Sequence, residues 1–156
     1  MQRIFIEIFK ERSIEEKIKM AKMMSKIGSW AFIIGIIIAL IVGLYHATTI
    51  EGKIGAGFFG TETGGWIAWL LAVLGAIIGI LAALGKGTIT KNETSGFLIA
   101  GIAIVVMGGV FVGWNNIITP WIGSLLSGVS MALSIFVAPA VGILAIKAIW
   151  DMGKDQ

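Results

Sequence analysis

The longest uninterrupted apolar run lies between Glu93 and Lys147, with no charged residue in between. A run of about 18 apolar residues is enough to read as one membrane span, and this one has room for two. Its middle, Trp114-Asn115-Asn116-Ile117-Ile118-Thr119-Pro120-Trp121, holds two Asn, a Pro and flanking Trp. Those residues suit a turn at a water interface, so the pattern predicts a helical hairpin with spans at about 96–113 and 121–146. Two earlier runs predict spans at about 28–46, bounded by Lys26 and His46, and 66–85, closed by Gly85-Lys86-Gly87. The predicted fold is all-α: an integral membrane four-helix bundle, residues 28–156, preceded by a charged arm, residues 1–27.

The arm is too charged for a cleavable signal peptide, and the apolar run after it is too long. Its pattern predicts amphipathic helix in two pieces. The first, about 2–11, sets Ile4, Phe5, Ile8 and Phe9 on one side. Ser13 with Glu16 three residues on then forms a capping box that opens the second. Ile14, Ile18, Ala21 and Met24 form its apolar stripe, with Lys17, Lys19, Lys22 and Lys26 largely off it. Such a helix suits the headgroup plane, and it equally suits packing on a neighbour or a second copy.

Small residues recur at helical spacing in the spans. Gly35, Ala39 and Gly43 do so in the first, and Ala68, Ala72, Gly75, Gly79 and Ala83 in the second. Ser130, Ser134, Ala138 and Gly142 do so in the fourth. Lipid tails are as apolar as the helices, so pairing in a bilayer relies on close backbone approach, which small residues permit. Ser130 and Ser134 are expected to bond a carbonyl four residues back or to reach another helix. Pro139 lacks an N–H and is expected to kink the fourth helix near Ile135. The Gly-rich segment 46–65, with Phe58-Phe59 at its middle, predicts a loop. Asn92-Glu93-Thr94 matches a glycosylation sequon, but it reads as a helix start capped by Thr94 or Ser95.

Charge sets the orientation. With four spans, eleven of the twelve Lys and Arg fall on one side: seven in the arm, then Lys86, Lys91, Lys147 and Lys154. Only Lys53 falls on the other, so both termini are expected in the cytoplasm. Trp66, Trp69, Trp114 and Trp121 then gather at the outer interface, and Trp30, Tyr45 and Trp150 act as further interface anchors. The composition agrees with a membrane protein: 57% hydrophobic, 13% charged, mean hydropathy +0.96. The arm alone accounts for the net charge of +3. Without aromatic and basic interleaving it points to anionic headgroups and not to nucleic acid.

From Trp66 onward the chain carries Trp66-xx-Trp69-Leu70-Leu71, Leu74-Gly75, Gly79, Glu93 and Phe97-Leu98-Ile99-Ala100. It continues with Ile122-Gly123 and Phe136-Val137-Ala138-Pro139-Ala140, then Lys147-Ala148-Ile149. These resemble a group of small multi-span membrane proteins of archaea and some bacteria, to which no activity is assigned. The resemblance implies a membrane protein and brings no catalytic residues.

The residues offer little for catalysis. Acid–base work needs a positioned His or carboxylate. His46 is the one His, with Glu51 and Glu62 in the loop after it. That set suits an interfacial His better than a metal site. There is no Cys, Gly85-Lys86-Gly87-Thr88 lacks phosphate-loop spacing, and the span cores lack the ionisable residues of coupled transport. No enzyme activity, cofactor or metal is expected. The expected role is structural or in assembly, as a homo-oligomer or with other membrane subunits, in contact with membrane lipids. The alternative is an oligomeric channel lined by Ser127, Ser130 and Ser134.

Overall fold

The computed structural model describes residues 1–51, 57–85, 91–118 and 120–154, leaving out the side chains of Met24, Ser25, Lys91 and Asn92. Lys53 and Lys86, both used to assign orientation, lie outside the described residues, as does the Lys91 side chain. Among the described residues every regular element is helical: α1 (Gln2–Ile50), α2 (Glu62–Ala83), α3 (Lys91–Val110) and α4 (Ile122–Lys154), with 3₁₀ turns at Phe58–Gly60 and Trp114–Asn116. All four helices contain a stretch long and apolar enough to cross a membrane.

The boundaries depart from the sequence pattern in instructive ways. The arm and the first span are one continuous helix of 49 residues, about 73 Å long. Ser13 and Glu16 therefore sit mid-helix and not at a start. α2 begins at Glu62, four residues early, because Thr61 caps it: the Thr61 hydroxyl accepts the Gly64 N–H at 3.1 Å. α3 has already begun at Lys91, so Thr94 and Ser95 lie inside it and not at its cap. The fourth helix runs on past residue 146 to Lys154, and it stays helical through Pro139.

α4 is the hub, packing along α1, α2 and α3, while those three touch one another much less. It runs antiparallel to α1: Gly35 meets Phe136, and Gly43 meets Val129. It is parallel to α2, where Gly75 meets the Phe136 carbonyl and Gly79 meets Ala140. The core forms around that crossing, from Ala39, Leu71, Ile78, Phe136, Val137 and Val141. Phe136 is 1% exposed, and the Phe32 ring, 6.0 Å from it, also lies 5.7 Å from Phe97 of α3.

Candidate functional site

The small-residue positions can be placed one by one. A Cβ on Gly79 would stand 2.6 Å from the Cα of Ala140, and one on Gly43 2.8 Å from the Cα of Val129. One on Gly35 would collide with the Phe136 ring, and one on Gly75 with the Phe136 carbonyl. Ala39 is fully buried, and Ala72 and Ala138 are half-buried. Ser130 is buried. The Ser134 hydroxyl lies within hydrogen-bond reach of Ile104 O on α3 (2.9 Å) and Ser130 O four residues back (2.7 Å). Gly142 differs: it is exposed, and a Cβ there would meet nothing within 4 Å, so it faces away from the other helices. Spacing alone did not single out Gly101, Gly108, Gly123 and Gly128 as contacts, yet each meets a neighbouring segment of the chain. Gly128 is reciprocal to Gly43, so two glycines allow that one crossing.

The polar residues collect at one end, where α1 stops, α2 begins and the α3–α4 turn returns. Thr49 Oγ1 donates to His46 O (2.7 Å) and accepts the Phe58 N–H (2.9 Å). His46 is 2% exposed. Its Nδ1 accepts a long hydrogen bond from the Phe59 N–H (3.4 Å), and the Phe59 ring lies 4.4 Å from the imidazole. His46 is thus covered by the Phe58-Phe59 turn, while its neighbour Tyr45 is exposed and edge-on to Phe58 at 4.9 Å. Buried Asn115 donates through Nδ2 to Ile50 O (3.1 Å), satisfying a carbonyl at the end of α1. Glu51 Oε1 accepts the Trp121 N–H (3.1 Å).

These bonds tie three segments together. Trp121 is held with φ of 67°, a left-handed conformation that is an outlier for a bulky side chain. Among the described residues no three His, Asp or Glu gather as a metal-binding group. Glu51 is turned to the Trp121 backbone, and Glu62 lies in the first turn of α2.

Of the expected interface anchors, Trp30, Tyr45, Trp66, Trp69, Trp121 and Trp150 are exposed. Trp114 is half-buried, with its ring 4.6 Å from Phe111. Trp66, Trp69, Trp114 and Trp121 belong to the segments that meet at the tied end. No family model matches the chain, and no curated protein or solved structure matches it either.

Proposed function

We propose that the chain is a multi-span membrane protein with both termini cytoplasmic, and that its role is structural or in assembly, as a homo-oligomer or as a subunit of a larger membrane complex. The observation that carries the assembly reading is the set of small positions left unused by internal packing. α3 meets α4 through Gly101 and Gly108, but Gly96, Ala100, Ala103 and Gly109 are exposed. A Cβ on Gly96 or Gly109 would meet nothing within 4 Å, as at Gly142 of α4. In a bilayer such positions let another helix come close. The Lys and Arg distribution supports the orientation, and the antiparallel pairing of α1 with α4 is in keeping with it.

Two experiments test this reading. In the Ala103→Leu, Gly109→Leu double variant, native mass spectrometry of gently extracted protein is expected to show fewer copies or lost partners, with helical content unchanged. An unchanged mass would remove the assembly reading. Gly75→Leu and Gly79→Leu do not serve for this purpose, because both positions pack inside one chain. For orientation, the chain has no Cys, so single cysteines at Lys17 and Gly60 are expected to react with an impermeant maleimide from opposite sides. The second reading is an oligomeric channel for small solutes or ions; within one chain Ser127 and Ser130 are buried and Ser134 is bonded, and conductance in planar bilayers, altered by Ser130→Leu or Ser134→Leu, is the test of it.

A further inference from the structure

The first two turns of α2 carry a groove that plays no part in the packing described above. It is lined by Glu62, Gly65, Trp66 and Trp69. The two indoles stand nearly perpendicular, 76° apart with centroids 6.0 Å apart, and each is more than half exposed. A Cβ on Gly65 would meet nothing within 4 Å, so its side of the groove is open. Glu62 is exposed and makes no ion pair among the described residues, where the one such pair joins Lys147 to Asp151.

Aromatic faces attract cations, Trp most strongly. Two crossed indoles beside an exposed carboxylate therefore favour an ammonium group. A bare cation would also meet the positive end of the helix dipole, which favours anions. A zwitterion satisfies both, with its ammonium between the rings and Glu62 and its phosphate toward the first free N–H groups of α2. We propose that this groove binds the headgroup of a zwitterionic phospholipid bearing an ammonium. The inference rests on the membrane reading above, which the cysteine labelling tests independently.

The test uses the full chain, ¹⁵N-labelled, in a maltoside detergent, following the six indole N–H signals by NMR. Dihexanoylphosphatidylcholine is expected to shift Trp66 and Trp69 saturably, while dihexanoylphosphatidylglycerol, with the same tails and no ammonium, leaves them in place. Glu62→Gln and Trp69→Leu are each expected to weaken binding about two- to fivefold. Glu62→Gln is a conservative exposed change that keeps the test usable if Trp69→Leu fails to fold. Equal shifts with the glycerol lipid, or shifts spread evenly over Trp30, Trp121 and Trp150, would overturn the proposal. Equal response to free choline would overturn the assignment to a lipid.

Discussion

α1 is two different objects in one helix. From Gly28 to Ile50 one face is buried at Gly28, Gly35, Ala39, Gly43, His46, Ala47 and Ile50, of which Gly35, Gly43 and Ala47 meet α4 and His46 meets the Phe58-Phe59 turn. From Gln2 to Ile27 every described side chain is exposed, and no other helix covers it. The change in composition follows the change in surroundings: small and apolar residues where a backbone comes close, Lys and Glu where none does. In a membrane the packed half must be helical, because only internal hydrogen bonds satisfy its backbone there. In the bare half no side-chain ion pair lies within contact distance among the described residues. Its helix therefore rests on propensity and on continuation from a half already formed, which avoids a new nucleation cost.

This contrast can be broken most directly by adding bulk to each half. Gly43→Val is expected to cost about 3 kcal/mol, since its Cβ would press on backbone that cannot rotate away. Ala21→Val is expected to stay within about 0.5 kcal/mol. Thermal unfolding in detergent measures both, and equal losses would mean that the arm is packed after all. Asn115→Ala comes next. It leaves the Ile50 carbonyl without its buried partner, costing about 1–3 kcal/mol, and hydrogen exchange should locate the loosening at the tied end of the bundle.

Trp121→Gly is expected to act in the opposite direction. Removing the side chain from a left-handed backbone should raise stability by about 1 kcal/mol, and a lower melting point would show that the indole contributes more than the strain costs. Ser13→Pro is the smallest for the bundle. It should interrupt the bare half and reduce the helical signal, while the unfolding midpoint stays within about 0.5 kcal/mol of the parent. A larger change would place Ser13 inside the cooperative unit.

The four apolar helices were legible because charge-free length is a strong signal and the membrane-span criterion is mainly a matter of length. The partners of the small-residue stripes were not. The spacing of Gly75 and Gly79 says that a backbone comes close, but nothing in it says that the backbone is Phe136–Ala140 of the same chain. Ser13 and Glu16 misled for a related reason: a capping pair and an exposed i, i+3 pair within a helix are the same residues. His46, Glu51 and Asn115 were visible as polar residues near span ends. Their joint role depends on three chain segments meeting, which local pattern does not encode. Thr61 was the missed signal within reach, a Thr placed just before the Glu that opens α2.

The helix that organises the bundle is made after the three helices it gathers. At roughly 5–20 residues per second, the ribosome takes roughly 2–9 s to go from the end of α3 at Val110 to the end of α4 at Lys154. In the complete fold α1, α2 and α3 make few contacts with one another, and Gly35, Gly43, Gly75 and Gly108 all meet α4, so their partner surface arrives only with that helix. A transcript cut short before α4 would yield three apolar helices without the one that gathers them.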